Sequence, residues 1–325
     1  MISSDQDHFD DLQTEGPAGH VAVMPAEVLA GLNLQPGMTI VDGTFGGGGH
    51  ARMIAERIVP GGTLLAIDRD AEAQGRFQDL TADFPGIGTF FQGSYAQMTA
   101  FADSAGISSV DGILLDLGLS SLQLSDAERG FSFQIEGPLD MRFDRQRGQS
   151  ASDIVNTFDP DDLADVFFHY GEERASRRIA RAIVRARESK PIETTTRLAT
   201  VVEQAVGGRR GARTHPATRV FQALRIAVNG GLDELEHGLR AGVDLLKPGG
   251  RFVVISFHSL EDRLVKRFYA NEARGCVCPP EIPVCICGQQ PRVALIGRAH
   301  KPSPSETAAN PRSRSAVLRI AERLS

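Results

Sequence analysis

The chain has 325 residues, of which 41% are hydrophobic and 23% charged, and a net charge of −6, the make-up of an ordinary soluble globular protein long enough for one large domain or two. No apolar run approaches the roughly 20 residues of a membrane span, and no basic, apolar leader opens the chain, so neither a membrane span nor a signal peptide is expected, and a cytoplasmic protein is.

Residues 1–19 carry five acids and no Lys or Arg, which predicts a disordered acidic tail. From there strand and helix patterns alternate. Strands are expected at 38–42, 63–67, 88–92 and 110–116, and helices at 25–31, 50–58, 70–80 and 95–105. This alternation implies an α/β fold with a parallel sheet covered on both faces. Ligands of such sheets gather at the carboxyl ends of the strands, so Asp42, Asp68 and Asp116 should converge there.

The first unit, Val41-Asp42-Gly43-Thr44-Phe45-Gly46-Gly47-Gly48-Gly49-His50, reads as strand, glycine turn and helix start. Glycines let a backbone approach a ligand closely, and a helix start offers N–H groups to a phosphate or carboxylate. Asp68 ends the next strand, 19 residues after Gly49, where an acid holds ribose hydroxyls. Two cofactors compete for the site. Gly46-x-Gly48-x-x-Ala51 fits the dinucleotide fingerprint. Asp42 favours the other, because a carboxylate repels a pyrophosphate but suits the ammonium of S-adenosylmethionine. Asp116 ends the fourth strand, where a carboxylate can accept N–H bonds from an exocyclic amine and orient its lone pair. Ser120, Ser121 and Gln123 follow, placed either to read a base edge or to cap their own turn.

Beyond residue 125 the pattern changes. Residues 125–150 are rich in Gly, Asp, Arg and Ser, and 152–229 read as helical, with openings at Asp159-Pro160 and at Thr214-His215-Pro216. Phe131 and Phe133 suit either base stacking or the junction between domains, the latter being favoured. From Arg174 to Arg225 there are thirteen Lys/Arg and three acids, a basic segment in an acidic protein and thus a footprint for a polyanion. Arg174, Arg177, Arg178, Arg181 and Arg185 fall on one helical stripe opposite Ile179, Ala182, Ile183 and Ala186. They form either an RNA-phosphate surface, joined by Arg209-Arg210-x-x-Arg213, or a solvated face answered by Asp161, Asp162, Glu172 or Glu173.

Alternation then resumes. A helix at 231–245 leads through Lys247-Pro248-Gly249-Gly250 to a strand at 251–257 and a helix in which Ser259 and Asp262 have capping-box spacing. Runs at 292–296 and 316–321 suggest a terminal antiparallel hairpin. Between them lie Cys276, Cys278, Cys285 and Cys287, four thiols suited to one tetrahedral Zn²⁺, with two labile disulfides or four idle thiols as alternatives. The expected organisation is a discontinuous domain of 20–125 and 230–325 with an inserted helical domain, 126–229, contacting RNA. Nothing in the pattern fixes an oligomeric state.

The sequence closely resembles the bacterial 16S rRNA cytosine-N4 methyltransferases, the RsmH (MraW) family, over residues 20–325. The resemblance rests on the glycine segment from Asp42 to His50, Ala66-Ile67-Asp68-Arg69-Asp70, and Asp111 to Ser121. It continues through Arg129-Gly130-Phe131-Ser132-Phe133, Gly137 to Arg142, Tyr170 to Arg174, His215-Pro216-Ala217-Thr218-Arg219 and Ser256 to Arg263. It implies a class I S-adenosylmethionine-dependent methyltransferase, a Rossmann-like parallel sheet with an inserted helical domain. The implied cofactor contacts are Gly48, Gly49, His50, Asp68, Tyr95, Asp116 and Gln123, with Tyr95 against the adenine. The implied substrate is a cytosine of the decoding centre of 16S rRNA, free or within the small ribosomal subunit. The cysteine stretch and the acidic tail depart from the commoner family pattern. An RNA-binding assembly factor without turnover is the rival reading, and an NAD-dependent oxidoreductase, disfavoured by Asp42, is a third.

Overall fold

A computed structural model describes residues 22–209, 214–276, 278, 284 and 286–325. The acidic tail expected at 1–19, Arg210, Arg213 and Cys285 lie outside the described residues. The chain divides into two compact units. One holds the described residues up to Gly118 together with Glu234–Ser325, and the other is Leu119–Asp233.

The first unit is a seven-stranded sheet of β1 (Thr39–Asp42), β2 (Thr63–Asp68), β3 (Gly88–Gln92), β4 (Val110–Asp116), β5 (Leu246–Ser256), β6 (Val293–Leu295) and β7 (Val317–Arg323). Their order is β3-β2-β1-β4-β5-β7-β6. The first five run parallel, while β7 is antiparallel to both β5 and β6, giving the terminal hairpin that the last two apolar runs suggest. The central strands read as continuous apolar runs because both faces are buried. Alternate residues divide between two layers. Ile40, Leu64, Leu114 and Val253 join one core with helices Pro25–Leu32, Gly49–Ile58 and Ala73–Asp83. Val41, Leu65, Ile113 and Val254 join the other with helices Met98–Ser104, Gly231–Leu245 and Ser259–Glu272. Each fully buried aliphatic side chain contributes about 1.5–3 kcal/mol.

Several boundaries differ from the sequence expectation, each for a local reason. The helix expected at 70–80 starts at Ala73, because the Asp70 carboxylate accepts the Glu72 N–H (3.1 Å) and holds a turn first. The helix expected from 95 opens as a 3₁₀ turn, Tyr95–Gln97, capped by Ser94. The capping box expected at Ser259 sits one residue earlier. His258 Nδ1 accepts the Glu261 N–H (3.3 Å), and Glu261 Oε2 accepts the His258 N–H (3.3 Å).

The second unit packs helices Ala151–Thr157, Pro160–Gly171, Ser176–Ser189, Thr195–Val206 and Ala217–Asn229 around Ile154, Leu163, Phe167, Ile179 and Phe221. Asp159 Oδ1 accepts the N–H groups of Asp161 and Asp162 (2.9 Å each), so Asp159-Pro160 opens its helix as the sequence suggests. His215 Nδ1 likewise accepts the Ala217 N–H (3.0 Å) at the start of the last helix. Phe131 and Phe133 belong to this unit's own core: Phe131 stacks on Phe143, and Phe133 packs edge-on against Phe221.

Candidate active site

The glycine segment after β1 is held open by Phe45. Its buried ring packs on Phe77 and Phe90, and its N–H donates to the Ile67 carbonyl (3.0 Å). Gly48 has φ +78°, and a Cβ there would meet the Phe45 ring at 3.0 Å, so this turn needs glycine both for its backbone angle and for space. The helix that follows starts at Gly49, which puts His50 in its first turn.

Three acids end neighbouring strands around this loop. Asp42 closes β1 and is 1% exposed. Its Oδ1 accepts the Thr44 N–H (3.1 Å), while Oδ2 is buried with no hydrogen-bond partner. Burial pushes its carboxyl up to about 7; His50 and the Thr44 N–H pull it down, and Asp116 and Asp68 add to the rise. Asp116 closes β4, and its N–H donates to Thr44 Oγ1 (2.6 Å). Its Oδ1 is also buried without a partner, and its Oδ2 lies 3.5 Å from His50 Nε2. Neither ring nitrogen of His50 makes a hydrogen bond. Two carboxylates and an imidazole, all polar and under-satisfied, thus meet in one buried place. Native interiors leave few such groups, and a polar or cationic ligand is what would complete them.

Asp68, at the end of β2, does different work. Its Oδ2 accepts the Gly46 N–H (2.6 Å) and its Oδ1 the Asp70 N–H (2.8 Å), so it fastens the glycine loop to the next turn. An ionised carboxylate has about four acceptor positions, which leaves room for hydroxyls besides these two bonds. Burial raises its carboxyl above the usual range.

Tyr95 lies largely inside the core. A Cβ on Gly238 would fall 2.4 Å from its ring and one on Gly43 would fall 3.0 Å from its Cβ, so two glycines make room for it. Gln123 stands in the other unit, where it and Ser120 form a reciprocal cap: each N–H donates to the other's side chain at 3.1 Å. That is the turn-capping alternative for Ser120 and Gln123.

Sequence reasoning missed two participants. Thr44 joins the strand ends by receiving the Asp116 N–H while its own N–H goes to Asp42. Glu234 is remote in sequence but pairs with Arg69, next to Asp68, at 3.0 Å and accepts the Ser94 hydroxyl. Burial, then the neighbouring Asp68 charge, raise its carboxyl against the pull of Arg69 and Ser94. A threonine within a glycine turn is a weak signal for the first. The second has no local signal, because its partners lie beyond the ends of other strands.

The arginine stripe is exposed along its whole length: Arg177, Arg178, Arg181 and Arg185 on the helix Ser176–Ser189, with Arg174 in the turn before it. Ile179, Ala180 and Ile183 face inward. None of the five pairs with a carboxylate among the described residues, and Glu173 is engaged instead with the Ala175 N–H (2.8 Å). Cys276, Cys278 and Cys287 gather with their sulfurs within 4.8 Å of one another.

The buried, under-satisfied acids fit S-adenosylmethionine, which carries an ammonium, a sulfonium and a ribose. Comparison with known proteins agrees. The sequence matches the MraW methylase family over residues 17–324. It is 54% identical to the ribosomal RNA small subunit methyltransferase H of Syntrophotalea carbinolica, over 94% of this chain and 98% of that one. It is 53% identical to the protein of the same name from Thermomicrobium roseum, over 94% of each. Among solved structures, TrmN from Thermus thermophilus aligns at a TM-score of 0.42 and 14% identity, covering 93% of this chain and 48% of the other. With that family match over nearly its full length and relatives above half identity, the chain belongs to the MraW methylase family and is an S-adenosylmethionine-dependent methyltransferase.

Proposed function

We propose that the protein methylates the N4 amine of a cytosine in the decoding centre of small-subunit rRNA, in the cytoplasm. The rRNA class follows the names of the relatives, and the base and position follow the resemblance described above. The observation that carries the chemistry is Asp116 Oδ1, buried and without a partner, beside Asp42 and His50.

S-adenosylmethionine supplies an electrophilic methyl on a sulfonium. Asp42 Oδ2 is suited to its ammonium and Asp68 to the ribose hydroxyls, with the Gly48-Gly49-His50 backbone along its length and Tyr95 and Gln123 as further proposed contacts. Asp116 accepts an N–H of the cytosine amine through Oδ1, which turns the nitrogen lone pair out of conjugation and toward the methyl. The same carboxylate takes the proton as the amine is alkylated. A carboxylate is enough for an amine. A ring carbon would need a covalent nucleophile to activate it, which an exocyclic amine does not. The base has to leave its stack to be reached.

The exposed arginines support an RNA partner. Arg177 with Arg181, and Arg181 with Arg185, are like charges four residues apart, and each such pair costs a helix a few tenths of a kcal/mol. Phosphates would answer that uncompensated charge. The test is nucleoside analysis of small-subunit rRNA from a strain lacking the gene. Loss of methylation at N4 of one cytosine, restored by the purified chain, is expected. Unchanged rRNA would refute the rRNA substrate, and loss at a ring carbon would remove Asp116 from the chemistry.

A further inference from the structure

The methyl-transfer site leaves the cysteine motif unused. The connection from helix Ser259–Glu272 to β6 closes on itself at its base. The Arg292 N–H donates to the Glu272 carbonyl (2.8 Å), and Gln289 Nε2 donates to the Arg274 carbonyl (3.4 Å). Beyond that base no described residue from Arg274 to Gln290 is buried, and Val284 and Ile286 are 70% and 77% exposed. Among the described residues of this loop the hydrophobic effect therefore supplies almost nothing.

Its sulfurs nonetheless converge. Those of Cys276, Cys278 and Cys287 lie within 4.8 Å of one another, and those of Cys276 and Cys287 are 3.9 Å apart. A tetrahedral site with Zn–S bonds of about 2.3 Å sets its sulfurs about 3.8 Å apart. A disulfide needs about 2.05 Å, so the Cys276–Cys287 separation is that of two ligands of one ion and not of a bonded pair. Two backbone donors are aimed at this cluster: the Cys278 N–H at Cys276 Sγ and the Ile286 N–H at Cys278 Sγ, each at 3.4 Å. Outer N–H bonds of this kind offset the negative charge that several thiolates bring to one cation.

We propose that Cys276, Cys278 and Cys287 hold a structural Zn²⁺ as thiolates, each thiol releasing its proton to solvent on binding. The ion takes the place of a core for this loop and fastens the entry to β6. Soft sulfur ligands select zinc over magnesium or calcium, which take oxygen ligands. No step of methyl transfer involves the ion.

Elemental analysis of the full chain, purified without chelator, should give about one zinc per chain. Three or four of its thiols should resist a thiol reagent until a chelator is added. Cys278→Ser should lose most of the zinc and lower the melting temperature, while calorimetry shows unchanged S-adenosylmethionine affinity. If that variant does not fold, chelation of the wild type gives the same reading: melting falls on removal and recovers when Zn²⁺ is returned. Metal-free native protein with all thiols reactive, a mass showing the cysteines joined as disulfides, or zinc retained in full by Cys278→Ser would each overturn the proposal.

Discussion

Asp42→Asn should make the protein more stable and a poorer binder of its cofactor. The Asp42 carboxyl is held near 7, chiefly by burial, against about 3.9 in an unfolded chain. The fold thus prefers the protonated acid. The stability this lends is complete below pH ~4, is lost as pH rises toward 7, and stays lost above. A gap of about three units at about 1.4 kcal/mol each puts the loss near 4 kcal/mol. Asparagine keeps the acceptor for the Thr44 N–H and has no charge to bury. Urea unfolding of both proteins from pH 4.5 to 8, at constant ionic strength, should show the variant gaining on the wild type by up to about 4 kcal/mol, with most of the gain complete by pH 7. Asp68 and Glu234 are also raised by burial, but they remain in both proteins and largely cancel in the difference. S-adenosylmethionine affinity should fall in the variant at every pH. In the wild type it should weaken as pH drops below 7, because a bound ammonium requires the ionised acid. Stability curves that stay parallel across this range would refute the assignment of a strained, cation-seeking carboxylate at Asp42.

Asp116→Asn retains the backbone bond to Thr44 and should lower kcat on small-subunit rRNA by roughly 10²–10⁴, well beyond any loss in folding stability; near-normal turnover would exclude an essential carboxylate. Asp68→Ala removes the acceptor of the Gly46 and Asp70 N–H groups as well as the proposed ribose acceptor. Calorimetry should register a loss of about 1.5–3 kcal/mol per charge-assisted bond, and unchanged affinity with the fold intact would end that role. Replacing Arg177, Arg178 and Arg181 by alanine should reduce the salt slope of RNA binding by roughly 0.7–0.9 for each phosphate no longer neutralised, leaving S-adenosylmethionine affinity unchanged; an unaltered slope would return them to a solvated face.

The parallel strands are legible in the sequence because local signals agree there. Apolar runs such as Leu64 to Ile67 end in an acid, and the Asp42 segment is followed by glycines that only a turn can use. Helix starts are legible to within a few residues. His258 rather than Ser259 caps its helix because an imidazole nitrogen can also accept an N–H, which a search for hydroxyl caps passes over. Arg174 fits the helical spacing of the stripe yet lies before the helix, since Glu173 turns the backbone there. Glu234 illustrates what stays hidden. Its meaning depends on Arg69 and Ser94, brought near by sheet topology, and no periodicity encodes a pairing across 165 residues.

The β4–β5 pair, Leu114 beside Val253, lies at the middle of the sheet, yet the whole inserted unit, residues 119–233, intervenes in sequence. An ordinary parallel crossover takes about a dozen residues. Loop-closure entropy grows by about 0.6 kcal/mol per doubling, so this roughly tenfold longer excursion adds only about 2 kcal/mol to the equilibrium. The kinetic consequence is larger, because non-local strand pairing is what slows folding. The insertion has its own apolar core and needs no pairing with the sheet to close it, so it is the part equipped to fold first. Once compact, it replaces a long random excursion with a short effective link, and the two halves of the sheet then search for each other as neighbours. On these grounds, destabilising the insertion's core at Ile154 or Phe167 should delay completion of a sheet that neither residue belongs to.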